Sequence, residues 1–471
     1  MTTELISADP AHPDEIVGRV PAATVADVDP VVQAARAAGR VWSATPAPAR
    51  ARGLRAAAAA LEAGLATLSE LTTREQGKTL AESRGEVQRA IDTLHHQAAR
   101  ALAPEGETFP ASTVGDEVRT IREPVGVVAA ITPWNFPVAI PIWKIAPALA
   151  HGNAVVWKPA EQTPAVAQLL SELLGKAGLP EGLIGMVLGG ADVGAAVVDH
   201  PDVGAISFTG SVGVGRIIRA HGSARGVGVQ AEMGGHNPAL VFDDAPLERA
   251  ADHVVAGAML GSGQKCTATR RVLVAGSVYD RFVELLVART ERLVVGDGLD
   301  PASDLGPVID AAAKHRVLGA VADARAAGCE LLTGGPDPVR PLPADGHFVA
   351  PTLLHLGDRS QAPPVWREEV FGPLAVVTSV ADDDEAIAVA NDTSFGLSAA
   401  VHTRDLGRAR RAATMLQAGM IAVNGPTTGA ELHAPFGGHK DSTAPGPREQ
   451  GEAARDFFTR TKTVTLRDPG V

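Results

Sequence analysis

The alternation of strand-like and helix-like segments between residues 125 and 231 constrains this chain most. Short apolar runs at Val125–Ile131, Ala154–Trp157, Ile184–Leu188, Ala205–Phe208 and Val227–Ala231 alternate with helical patterns at Pro164–Ala177, Val193–Asp199 and Val212–Ala220. Strands joined through helices pair in parallel and carry helices on both faces. An open parallel sheet of this kind is a nucleotide-binding layout, with ligands at the carboxyl ends of its strands.

A second unit of the same kind follows. It has strands at Asn237–Phe242, Arg271–Val274 and Phe371–Val380, and helices at Leu247–Leu260, Tyr279–Leu293, Ala311–Ala327 and Asp384–Asn391. Short apolar stretches at Pro307–Ile309 and Leu331–Gly335 belong to it. Residues 1–30 read as extended, and Val31–Ala38, Ala49–Gly77 and Glu82–Ala103 as helices. A strand at Val114–Ile121, broken off by Arg122-Glu123-Pro124, stands apart from both units. So does the tail Thr459–Arg467, whose alternation suits an edge strand able to pair with another subunit. The length fits two to three domains of about 150 residues.

Charge and cysteine content exclude several classes. Lys and Arg number 42 against 54 Asp and Glu, a net −12, which argues against a nucleic-acid partner. Two cysteines cannot staple a chain of this size and fit a reducing, cytoplasmic setting. No CxxC or Cys/His cluster suggests a metal, and the adjacent His95 and His96 do not share a helix face. No signal peptide and no membrane partner are expected, because apolar runs are broken well short of about 18 residues.

One of the two cysteines lies in Gly261-Ser262-Gly263-Gln264-Lys265-Cys266-Thr267-Ala268, where small residues and a lysine flank the thiol. A lone thiol there is a candidate nucleophile, or else a buried inert cysteine. Asn135 sits in the proline-bracketed Thr132-Pro133-Trp134-Asn135-Phe136-Pro137, which can present its amide or simply form a turn. Phe208-Thr209-Gly210-Ser211 is a glycine-rich strand-to-helix join whose amides can face a pyrophosphate, although it is not G-x-G-x-x-G. Lys158 and Glu161 follow a strand end, where cofactor ribose groups sit in such sheets.

Taken together, these residues resemble the aldehyde dehydrogenase superfamily over nearly the whole chain. The resemblance rests on Trp134-Asn135-Phe136, Lys158-Pro159-Ala160-Glu161, Phe208-Thr209-Gly210-Ser211, Glu232-Met233-Gly234-Gly235, Gly263-Gln264-Lys265-Cys266, Glu369-Val370-Phe371-Gly372-Pro373 and Pro435-Phe436-Gly437-Gly438, in that order. It implies an NAD(P)-binding domain over 1–105 and 124–236, a catalytic domain over 237–452, and a β oligomerisation arm from 106–123 and 453–471. It implies Cys266 as nucleophile, Asn135 with the Cys266 N–H as oxyanion donors, and Glu232 as the base for water. Trp134, Lys158, Glu161, Gly210, Ser211, Glu369 and Phe371 fall at cofactor positions, and Phe136, Trp143 and Phe436 along the substrate tunnel.

The cofactor expected is NAD, with NADP possible: the Glu161 carboxylate can accept a bond from a ribose 2′-hydroxyl and repels a 2′-phosphate. The expected partners are a small aldehyde and further copies of the chain, as homodimer or homotetramer. Two departures from the family pattern stand out: His236 where Lys is usual, and Thr443 where Gly is common. Finer features, among them Gly446-Pro447-Arg448-Glu449-Gln450-Gly451, resemble the subgroup that oxidises α-ketoglutaric semialdehyde. Succinate semialdehyde or a broad aldehyde range is the alternative substrate reading. A CoA-acylating enzyme, a cysteine hydrolase and a silent binding protein are rival functions. A carboxylate-bearing substrate needs a cation at the far end of its tunnel, and Arg100 is one candidate.

Overall fold

The computed structural model describes residues 4–467. Two open parallel sheets organise it. The first has five strands in the order Ile184–Met186, Ala154–Lys158, Val127–Ile131, Val203–Thr209, Gly228–Glu232, all parallel. Chain order reverses direction between Val127–Ile131 and Val203–Thr209, so a crevice opens at the carboxyl ends of that pair.

The second sheet has seven strands, in the order Glu330–Thr333, Thr352–His355, Leu374–Val380, Thr269–Ala275, Asn237–Val241, Ser398–His402, Met420–Val423. Only the edge strand Glu330–Thr333 runs antiparallel. Small aliphatics fill both sheets' cores, as in Val127-Val128-Ala129-Ala130, each at most 3% exposed. A strand buried on both faces reads as a continuous apolar run, so these stretches were visible in the sequence.

A third, three-stranded sheet pairs Thr459–Leu466 with Glu117–Pro124, and Glu117–Pro124 with Thr108–Phe109, all antiparallel. The tail therefore pairs first within its own chain. The expected break at Arg122-Glu123-Pro124 is absent: the strand runs through Pro124, which lies opposite Thr459 at the strand end, where proline is tolerated.

Other differences have local causes. The expected Ala49–Gly77 helix is two, Ala47–Ala63 and Leu65–Gln76, divided at Gly64. Residues 4–21 form a hairpin of Glu4–Ala8 with Ile16–Pro21. Pro307-Val308-Ile309 is irregular chain whose Val308 and Ile309 anchor a small apolar cluster. Helix Ala139–Ala150 went unpredicted, because Pro141 and Pro147 mask an otherwise apolar helix. Among the described residues no helix is long and apolar enough to cross a membrane.

Candidate active site

Four of the sequence motifs lie at the carboxyl edge of the first sheet. Strand Val127–Ile131 ends in the Trp134-Asn135-Phe136 loop, Ala154–Lys158 in Lys158, Val203–Thr209 in Gly210-Ser211, and Gly228–Glu232 in Glu232 itself. The Trp157 indole N–H donates to Thr132 Oγ1 at 2.9 Å, tying two of these ends together.

The thiol comes from the other sheet. Cys266 lies just before strand Thr269–Ala275, after a turn in which Gly261, Ser262 and Gly263 all have positive φ (67°, 53° and 63°). Ser262 is an L-residue in left-handed backbone, which costs about 1–2 kcal/mol. Its hydroxyl compensates by donating to the Gly306 carbonyl at 2.6 Å. A Cβ at Gly263 would come within 2.0 Å of the Gly372 carbonyl, so only glycine fits there. Asn237 Nδ2 donates to the carbonyls of Cys266 and Ala268, both at 2.8 Å, and fixes the strand end behind the thiol.

Asn135 meets this loop directly. Its Nδ2 donates to the Gln264 carbonyl at 2.9 Å. A primary amide has two N–H donors, so that bond orients the group and leaves one N–H for a ligand. The loop is held from below by a buried ion pair. Lys78 Nζ donates to Glu86 Oε2 at 2.5 Å and to the Asn135 carbonyl at 2.6 Å, and lies 4.1 Å from the Phe136 ring centroid. Glu86 Oε1 accepts from the N–H groups of Val138 and Ala139, at the N-terminus of helix Ala139–Ala150. None of this support was read from the sequence.

The electrostatics around the thiol are acidic. Burial, then Glu369, Glu232 and Glu449, push the Cys266 pKa up to about 12, and only its own backbone N–H favours the thiolate. Glu232 is 2% exposed, and burial and Glu449 raise its pKa well above the carboxylate range, while Thr443, Lys144 and Arg448 oppose the rise. The Thr443 hydroxyl donates to Glu232 Oε2 at 2.7 Å. Burial pushes Glu369 up to about 7, against Arg270 and the Gly235 N–H that donates to it at 3.2 Å.

A cavity of about 440 Å³ opens over Cys266. Asn135, Phe136, Trp143 and Phe436 line it, with the Trp143 and Phe436 ring centroids 5.5 Å apart. Three cations, Lys78, Arg89 and Lys265, line it as well; Lys78 is paired with Glu86, and Lys265 with Glu82 at 3.5 Å. Arg100 does not: it pairs with Glu452 at 3.2 Å. Arg89 and Arg100 share a face of helix Leu80–Arg100, but they stand about 16 Å apart along it, so the expected residue was three turns too far. Glu82, Gly85, Glu86 and Arg89 all line the cavity, and this helical spacing of charge was the available signal.

The cofactor candidates are spread along the same crevice. Lys158 Nζ pairs with Glu161 at 3.3 Å, and Ser211 caps helix Val212–Arg225 by accepting from the Val214 N–H at 3.4 Å. A Cβ at Gly210 would come within 2.5 Å of the Phe208 ring, and one at Gly234 within 2.1 Å of Glu369 Oε2. The Trp134 and Phe371 rings meet edge to face at 5.6 Å. His236 is buried; Nε2 contacts the Val365 carbonyl at 3.3 Å, and burial lowers its pKa well below the usual range.

Fold and site together define an α/β enzyme in which a thiol on one sheet faces the ligand crevice of another. Comparison with known proteins makes the class specific. The aldehyde dehydrogenase family profile matches residues 2–464, and the chain belongs to that family. It is 40% identical to the alpha-ketoglutaric semialdehyde dehydrogenase of Bacillus subtilis, covering 98% of this chain and 94% of the relative. It is 43% identical to the alpha-ketoglutarate semialdehyde dehydrogenase of Haloferax volcanii, covering 98% and 95%. Among solved structures, betaine aldehyde dehydrogenase from Staphylococcus aureus in complex with NAD+ superposes with a TM-score of 0.94 at 33% identity, covering 100% and 92%.

Proposed function

We propose that this chain oxidises α-ketoglutaric semialdehyde (2,5-dioxopentanoate) to the dicarboxylic acid with NAD. The observation that carries the substrate is Arg89, the cation without a carboxylate partner among the described residues, in a cavity that also contains Cys266 and the Glu82-paired Lys265. A small aldehyde with a terminal carboxylate can present its carbonyl to the sulfur and its charge to these groups. The curated relatives named for this substrate support the same reading.

Each reacting group has a place. The Cys266 thiol loses its proton to solvent water, its Sγ bonds to the aldehyde carbon as the carbonyl π pair moves onto oxygen, and the free N–H of Asn135 with the Cys266 N–H stabilises that oxyanion. Collapse of that adduct expels hydride and leaves a thioester on Cys266. NAD supplies the hydride acceptor when bound. A water oxygen then bonds to the acyl carbon, the C–S bond breaks with its electron pair returning to sulfur, and Glu232 takes the water proton. The crevice suits the dinucleotide. Lys158 and Glu161 would hold the adenine ribose, Gly210 and Ser211 the pyrophosphate, and Glu369, Trp134 and Phe371 the nicotinamide end. The exposed Glu161 carboxylate favours a 2′-hydroxyl over a 2′-phosphate.

We assign residues 1–105 and 124–236 to cofactor binding, 237–452 to catalysis, and 106–123 with 453–471 to a β arm through which copies associate as a dimer or tetramer, residues 1–3 and 468–471 of these ranges lying outside the described residues. Two free thiols suit a reducing cytoplasm.

A substrate panel tests the substrate. The kcat/KM for 2,5-dioxopentanoate is expected to exceed that for hexanal or benzaldehyde, and Arg89→Met should lose about 10- to 100-fold on the semialdehyde alone. Long-chain or aromatic aldehydes winning by a wide margin would sink the assignment.

A further inference from the structure

Glu232 is held by Thr443, one of the two departures from the family pattern. Strand Gly228–Glu232 ends beside the segment Ser442-Thr443-Ala444, and Glu232 and Thr443 face each other in an antiparallel bridge. The Met233 N–H donates to the Ser442 carbonyl at 2.8 Å, and the Ala444 N–H to the Ala231 carbonyl at 2.9 Å. Those two bonds flank the facing pair, so the side chains of Glu232 and Thr443 are set against each other by the backbone register.

In this contact the hydroxyl is the donor. The Gly438 N–H donates to Thr443 Oγ1 at 2.6 Å, which occupies a lone pair of the hydroxyl. The single hydroxyl proton is left for Glu232 Oε2, at 2.7 Å. Glu232 Oε1 is buried with no hydrogen-bond partner among the described residues, and a Cβ at Gly437 would come within 2.8 Å of it. Glu232 is not among the residues lining the cavity that contains Cys266 and Glu449. One carboxylate oxygen is therefore tethered and the other is free.

We propose that Thr443 is a positioning residue for Glu232: its hydroxyl parks one carboxylate oxygen, leaves the other as the proton acceptor, and sets the pH at which the base works. This rests on the deacylation role given to Glu232 above. A hydroxyl donating to the carboxylate favours the ionised form over the acid. The other charged or titratable groups facing Glu232 are Glu449, which opposes ionisation, Lys144 and Arg448, which favour it, and the Cys266 thiol. The Thr443 hydroxyl is one of the groups that favour ionisation, and the one in direct hydrogen-bond contact with the carboxylate.

The test follows decay of the acyl-enzyme by quench-flow mass spectrometry between pH 5 and 10, with NAD and the fastest aldehyde of the panel. Thr443→Val keeps the branched shape and loses the donor. Its deacylation profile should move up by about one pH unit. The rate should therefore fall about tenfold on the acid side and rejoin wild type at high pH, with the NADH burst unchanged. Thr443→Ser should restore the wild-type profile. Thr443→Gly, which also lacks the hydroxyl, should match Val and serves if Val does not fold. A Val or Gly profile superimposed on wild type, or a loss equal at every pH, overturns the proposal. Glu232→Gln is run in parallel. If it deacylates normally, the base assignment itself fails and Thr443 falls with it. If it traps the acyl-enzyme while Thr443→Val is unchanged, only the Thr443 role is lost.

Discussion

Cys266 is half-buried at the cavity and close to three carboxylates, a setting that holds a thiol in its neutral form. Its alkylation by iodoacetamide, read by intact mass, should keep rising with pH from 8 to 10. An ordinary thiol levels off above about 8.5–9. A plateau near pH 8 would contradict the acidic surroundings. Cys266→Ala should abolish dehydrogenase turnover while NAD still binds by calorimetry. Cys329, 5% exposed in the core beneath helix Ala311–Ala326, should be replaceable by Ala with turnover retained. The candidate thiol was legible as a lone cysteine among glycines. Its pKa was not, because Glu232, Glu369 and Glu449 converge on it from distant parts of the chain. Thr443 was visible as a departure from the family pattern, but its contact with Glu232 depends on an isolated bridge to a segment 211 residues away in sequence.

At the scale of elements, the Asn135 loop depends on helix Leu80–Arg100. Lys78, just before that helix, and Glu86, on it, are both buried, and between them they bond the loop carbonyl and two helix N–H groups. Breaking a buried pair by removing one partner costs about 3–5 kcal/mol, because the other charge is left without compensation. Lys78→Met should therefore lower the melting temperature. It should also let Asn135 drift, with kcat falling about 10²- to 10³-fold, the loss typical of one oxyanion donor. Unchanged burst kinetics in a folded Lys78→Met protein would separate the ion pair from oxyanion binding. The strands of both sheets were legible because apolar runs bounded by turn residues have few other solutions. Helix Ala139–Ala150 was not, since its prolines outweigh local propensity until packing on the first core overrides it. The ion pair was not legible either: nothing in the spacing of Lys78 and Glu86 says that both are buried.

For the whole molecule, the small third sheet is the part a single chain leaves unfinished. Thr459–Leu466 pairs residue for residue with Glu117–Pro124, from Thr459↔Pro124 to Leu466↔Glu117, yet most of its side chains are exposed. Phe109 and Leu466 are 41% and 47% exposed. A three-stranded sheet with neither face covered is marginal in water, and its outer strand offers an unpaired edge to another chain. The strand is anchored at its root. Phe457 and Phe458 are buried in the first core, and Asn153 Nδ2 donates to the Phe458 carbonyl at 2.9 Å while its Oδ1 accepts from the Gly126 N–H at 3.0 Å. A chain ending at Phe458 therefore keeps that anchor, both large sheets and every residue that lines the cavity, and loses only the outer strand. Sedimentation velocity should show the full-length chain as a dimer or tetramer and the truncated chain as a smaller species, with the NADH burst per folded site retained. If the truncated chain keeps the full-length assembly, the contact lies elsewhere on the molecule. If the burst disappears along with the assembly, the strand supports the site from a neighbouring subunit and does more than join copies.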